Sequence, residues 1–299
     1  MDSRQVLLEI RGRPVNFVPG KKVISVAPGE WTSPYEGKGY EPLGYRDFEI
    51  GDDPRRINLP ATARRGIPTV VERVALRDFK VMVIIDRSSS MLVRQKLAIQ
   101  LGAAALLLYS AWQSETTFGL AVKTDEKLHS FGMGIGSKHF YFLYQKLWEV
   151  LSPGGNGALK GTRNIHLSRC LPPNAMLIYC SDFLDATGAL VNLTALTMVV
   201  HRYDFIPVII QDEFEFAFPL ISHGTFIAFS NPETMEQEEV WISPDNALRI
   251  NAAHESRFDD LLSVFGTPGV SCLHLGTSDV KKMGRQIDGF FRTRSGRAG

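Results

Sequence analysis

The run Val81-Met82-Val83-Ile84-Ile85, followed by Asp86-Arg87-Ser88-Ser89-Ser90-Met91, limits what this chain can fold into more than any other stretch. Five consecutive apolar residues, four of them β-branched, predict a strand buried on both faces. Such strands belong to the middle of an open α/β sheet, and ligands there bind beyond the carboxyl ends of the strands. Asp86, Ser88 and Ser90 fall at that end, on one short turn, so a carboxylate and two hydroxyls are expected to converge. Oxygen donors with room for water suit a hard divalent cation such as magnesium. The competing expectation is that Ser88 or Ser90 merely caps the helix that follows.

A cation at a sheet edge needs a second carboxylate and another hydroxyl from neighbouring loops. Ala175-Met176-Leu177-Ile178-Tyr179-Cys180 is a second apolar run, ending in Ser181-Asp182, and Gly161-Thr162 lies in a glycine-rich loop between the two runs. The order D-x-S-x-S, then Thr, then Asp resembles the metal-ion-dependent adhesion site of von Willebrand factor type A domains. That resemblance implies a ligand set of Asp86, Ser88, Ser90, Thr162 and Asp182 around Mg²⁺ or another divalent cation. It also implies an acidic side chain from a partner that displaces a water and completes the shell.

Around these runs the pattern alternates strand and helix. Leu97, Leu101, Ala104, Ala105 and Leu108 form the apolar face of a helix over Leu92–Gln113. Thr117–Val122 and Lys127–Phe131 read as a strand pair, and His139–Leu151 as an aromatic-rich core helix. The Met176 strand, a helix near Ala189–His201, the Phe205–Ile210 strand, a helix over Ala247–Phe265, the Val270–Leu275 strand and a helix over Ser278–Arg292 complete the series. The fold class expected is α/β with a doubly wound, mostly parallel sheet over 80–299. Short alternating runs near 213–243 predict a β-rich excursion, and residues 1–79, with frequent Gly and Pro, a small β-rich or irregular segment. Val6-Leu7-Leu8-Glu9-Ile10 and Lys22-Val23-Ile24-Ser25-Val26 read as short strands of that segment.

The front segment carries a narrower resemblance. Tyr45-Arg46-Asp47 leads into Gly51-Asp52-Asp53-Pro54-Arg55-Arg56-Ile57-Asn58 and then Ala63-Arg64, all upstream of the D-x-S-x-S strand. This arrangement resembles the bacterial domain-of-unknown-function 58 proteins, which join such a segment to a von Willebrand type A-like domain. The likeness continues through His201–Ile210 and Asp212–Pro219 to Phe290-Phe291-Arg292. The chain departs from the pattern at Ile57-Asn58-Leu59, where I-D-W is expected, and lacks the two leading membrane helices of many members. The resemblance implies a metal-dependent adaptor that works with a MoxR-type AAA+ ATPase on a client protein, in a chaperone-like maturation of a complex such as methanol dehydrogenase.

Enzyme signatures are sparse. Gly132-x-Gly134-x-Gly136 lacks dinucleotide-binding spacing, and Gly155–Thr162 lacks the Gly-Lys-Ser/Thr order of a phosphate loop. No G-x-S-x-G elbow or H-E-x-x-H pair is present. A magnesium-dependent phosphatase with Asp86 as nucleophile is the enzymatic alternative, but position 88 offers Ser88 where a second acid is needed. A metal-free interaction domain, in which Asp86 and the serines only organise the turn, is the other. A net charge of +1 gives no argument for nucleic acid, and three cysteines without a C-x-x-C pair fit free thiols in a reducing, cytoplasmic setting. Leu101–Leu108 is too short an apolar run to span a membrane, and no secretory signal opens the chain.

Overall fold

The computed structural model describes residues 3–17, 31–36, 42–49, 57–77, 80–92, 95–124, 127–152, 159, 162–164, 166–167, 171–173, 175–184, 199–212, 215, 218–219, 222–230, 237–266 and 270–295. The expected turn at Gly51–Pro54, the Lys22–Val26 strand and most of the Ala189–His201 helix lie outside them.

Among the described residues, twelve strands fall into three sheets. The large sheet has the order β12-β9-β8-β4-β5-β6-β7. Its members are β4 (Lys80–Asp86), β5 (Thr117–Lys123), β6 (Leu128–Gly134), β7 (Arg163–Asn164), β8 (Met176–Ser181), β9 (Asp204–Ile210) and β12 (Leu273–Leu275). Strands β12, β9, β8, β4 and β5 are parallel; at one edge β6 pairs antiparallel with β5, and the two-residue β7 pairs antiparallel with β6. The molecule is therefore α/β with a mostly parallel sheet, as the alternation of apolar runs requires.

Why both faces are covered follows from the period of two along each strand. Val81, Val83 and Ile85 enter one core cluster, together with Phe118, Leu120, Val122, Ile206, Val208 and Ile210. Met82 and Ile84 enter the other, with Leu177, Phe205 and Ile209. The first face is covered by α3 (Lys96–Gln113), α4 (Gly136–Leu151) and α6 (Val280–Ser295). The second receives Leu261 and Phe265 of α5 (Pro244–Gly266). Helix α3 is buried almost all round, and Gly102 lets α6 approach it: a Cβ there would stand 3.1 Å from Met283 Cε.

The front segment differs from expectation at its start. Val6–Ile10 is not a strand but part of α1 (Ser3–Ile10). Val6 and Ile10, one helical turn apart, are fully buried against α3 and α6, whereas Leu8 between them is exposed. Tertiary bonds fix this helix: the Tyr144 hydroxyl donates to the Ser3 carbonyl at 2.7 Å, and the Gly12 and Val15 amides donate to the Tyr109 and Ser110 hydroxyls. Further on, β1 (Trp31–Glu36), β3 (Thr69–Arg77) and β2 (Pro42–Asp47) form an antiparallel sheet with β3 in the middle. A short helix, α2 (Leu59–Arg65), precedes β3, with Asn58 Oδ1 accepting the Ala61 amide at its N-terminus. The excursion near 213–243 is a separate hairpin of β10 (Thr225–Ser230) and β11 (Gln237–Ile242).

Candidate functional site

Strand order places the crevice. From β4 the chain adds β5 on one side, then crosses to build β8, β9 and β12 on the other. The order reverses between β4 and β8, and it is outside the carboxyl ends of strands at such a reversal that open α/β sheets bind ligands. Asp86 ends β4, and Ser181-Asp182 ends β8.

Asp86 is held from every side. Its Oδ1 accepts the Ser88 amide at 2.9 Å, closing an Asx turn, and Oδ2 accepts the Ser181 hydroxyl at 2.5 Å and the Tyr179 hydroxyl at 3.2 Å. The turn continues as a short 3₁₀ segment, Ser89–Leu92, pinned by the buried Met91. The Ser88 and Ser90 hydroxyls, both half-buried, lie 3.1 Å apart in a hydrogen bond to each other. Beneath them the fully buried Gln100 donates to the Asp86 carbonyl at 2.9 Å and the Cys180 carbonyl at 3.1 Å, tying the ends of β4 and β8 together.

The second acid has a different fate. Asp182 Oδ2 accepts from Lys96 Nζ at 2.8 Å, and both side chains are only 2 % exposed. The same ammonium reaches Glu215 Oε1 at 2.5 Å. Glu215 Oε2 accepts the Asp212 amide at 2.9 Å, and Asp212 Oδ2 in turn accepts the Gln95 amide at 3.3 Å. Phe183, directly after Asp182, adopts φ +58°, a left-handed conformation that costs a non-glycine residue about 1–3 kcal/mol. Its ring holds it there, edge-on to Tyr179 and Phe265 at 5.3 and 5.0 Å. Its amide donates to the Ser181 hydroxyl.

Electrostatics follow from this burial. Desolvation raises the Asp86 carboxyl above its ordinary range, the bonds from Ser181 and Ser88 oppose it, and the Asp182 charge adds to it. Burial alone would lower the Lys96 ammonium, but the two carboxylates together outweigh it and its pKa lies above the ordinary value.

Of the five expected ligands, the fold brings Asp86, Ser88, Ser90 and Asp182 to the same switch point but not Thr162. That residue precedes β7, separated from β4 by β5 and β6, and strands are spaced about 4.8 Å apart. Its hydroxyl is engaged by His129 Nδ1 at 2.9 Å and donates to the Leu159 carbonyl at 2.6 Å. Nor do the remaining four fit a divalent cation as arranged. Both Asp86 oxygens accept from the protein, and an Asp182 oxygen accepts from the Lys96 ammonium. Among the described residues no group of three or more His, Cys, Asp and Glu side chains is set out to hold a metal.

Lys96, Gln100, Tyr179, Ser181 and Glu215 escaped the reading from sequence. One signal was available: Lys96 and Gln100 stand four apart on a helix whose inward positions are otherwise apolar apart from Ser110.

The model of the family described as "Protein of unknown function DUF58" matches residues 44–259, from within β2 through most of α5. The chain belongs to that family. This DUF58 protein is also similar to an uncharacterized protein of Mycobacterium bovis and to uncharacterized proteins of two Mycobacterium tuberculosis strains. Each is 21 % identical over 269 residues, covering 87 % of this chain and 82 % of the relative. Among the described residues, no helix of the DUF58 protein is long and apolar enough to cross a membrane.

Proposed function

We propose that this DUF58 protein is a non-enzymatic protein-recognition module of von Willebrand type A-like architecture. It presents the Arg87–Leu92 loop, at the carboxyl end of its sheet, to a partner. The observation that carries this reading is the contrast between the loop's foundation and its surface. Asp86, Met91 and Gln100 fix it from below through buried contacts, while the Ser88 and Ser90 hydroxyls and the 40 %-exposed Leu92 remain at the solvent side. A loop so anchored loses little conformational freedom on binding, which favours recognition. The sequence resemblance supports a MoxR-type AAA+ ATPase as the partner and maturation of a client complex, such as methanol dehydrogenase, as the setting. Recognition does not require a bridging metal ion, because Lys96 already neutralises Asp182.

The test is capture of the ATPase, in magnesium-nucleotide buffer, by the full chain and by Ser90→Arg. A bulky cation at a half-buried surface hydroxyl leaves the core untouched, so the variant should keep its Tm and lose capture at least about tenfold. Capture unchanged by Ser90→Arg and by Leu92→Arg would refute the loop as the contact.

A further inference from the structure

We infer that the Lys96 ammonium is the resident cation of this site, a covalently tethered ion standing between Asp182 and Glu215 where a bound divalent ion would otherwise be expected. The inference deepens the reading of the Arg87–Leu92 loop as a recognition surface, but it does not depend on who the partner is.

Three observations carry it. Lys96 lies in the first turn of a helix that is otherwise almost wholly apolar on its buried side, a position with no reason to hold a charge except the acids it meets. Its ammonium is within 2.8 Å of Asp182 and 2.5 Å of Glu215, from loops after β8 and β9, so one cation draws together two strand ends beside Asp86. Metal–oxygen distances of about 2.0–2.6 Å for magnesium and calcium leave no space for an ion beside that nitrogen. Asp182 and Glu215 also line a small cleft whose further walls include Gln211, His254, Arg257 and Phe258.

A tethered cation differs from a bound one in two ways. It is present whatever the free concentration of divalent ions, so the loop is organised constitutively. It also has no exchangeable water, so a partner carboxylate has no coordination position to fill, and the contact falls to the Ser88 and Ser90 hydroxyls and the surface around them.

The full chain and Lys96→Met, which keeps the stem and removes the charge, are titrated with Mg²⁺, Ca²⁺ and Mn²⁺ by calorimetry and thermal unfolding. Wild type should show no binding heat and no rise in Tm. Lys96→Met should melt lower without ions and regain Tm with at least one of them, because a bound ion stabilises by mass action. Its Mn²⁺ affinity should be at least about tenfold above wild type. If Lys96→Met does not fold, the wild-type titration decides: a saturable rise in Tm that Asp182→Asn abolishes overturns the inference. So does a folded Lys96→Met that no ion stabilises, because the ammonium would then be an ordinary ion pair. Neither result depends on partner capture, so failure here and failure of the recognition reading are separable.

Discussion

Lys96 Nζ lies 2.8 Å from Asp182 Oδ2, with both side chains withdrawn from solvent. Removing one member of a buried pair leaves the other uncompensated, at a cost of about 3–5 kcal/mol, whereas replacing the whole set by neutral groups is often close to neutral. Lys96→Met should therefore lower the unfolding free energy of the full chain, read by urea titration, by that amount in the absence of divalent ions. The triple variant Lys96→Met, Asp182→Asn, Glu215→Gln should recover most of it. Equal losses in the single and triple variants would mean that the lysine's stem, not its charge, is what the fold uses.

The pH dependence has two limbs. Asp86 has a raised native pKa, so just above the ordinary value of 3.8 the folded state keeps a proton that the unfolded chain has released. Stability from this group falls as pH rises through that window and then levels off, the reverse of a salt-bridged aspartate. Asp86→Asn should flatten that acid limb in urea titrations. Lys96 also has a raised native pKa, so its contribution is complete below 10.5 and is lost as pH climbs through the higher folded value. In Lys96→Met the alkaline limb should shrink relative to wild type.

Gln100 is a test of the join between β4 and β8. Gln100→Leu removes the donors to the Asp86 and Cys180 carbonyls, at about 0.5–1.5 kcal/mol for each hydrogen bond lost. Unfolding midpoints should fall accordingly. Amide exchange should quicken at the ends of these two strands more than at β6, since the bonds lost belong to the switch point alone.

At the opposite end of the sheet, Arg294 in the last turn of α6 forms a forked pair with the buried Asp204 at the start of β9, one arm of it at 3.3 Å. Arg294→Ala should cost about 3 kcal/mol by taking the guanidinium from that buried carboxylate, with no effect on partner capture. A loss of capture at unchanged Tm would move the recognition surface away from the Arg87–Leu92 loop.

What the sequence makes legible is what is local. The Val81–Ile85 run names a buried strand, the Ser181-Asp182 ending marks a second strand that carries an acid at its carboxyl end, and the alternation of strands and helices gives a mostly parallel α/β sheet; the strand order that brings those two ends together comes only from the fold. Asp86 binding the Ser88 amide is likewise a property of a few adjacent residues. Hidden from it are the relations that depend on packing. Lys96 meets Asp182 across 86 positions. Thr162 has the right residue type in the right order, but the register of the β6–β7 edge assigns its hydroxyl to His129. The Val6–Ile10 run alternates imperfectly enough to pass for a strand, and only the surface offered by α3 and α6 selects the helix.

The most direct measurement is an anomalous difference map from crystals of the full chain soaked in manganese chloride. The account predicts electron density for Lys96 Nζ between Asp182 and Glu215 and no anomalous peak at the Asp86 turn. A strong peak bounded by Asp86, Ser88, Ser90 and Asp182, with the lysine displaced, would contradict it.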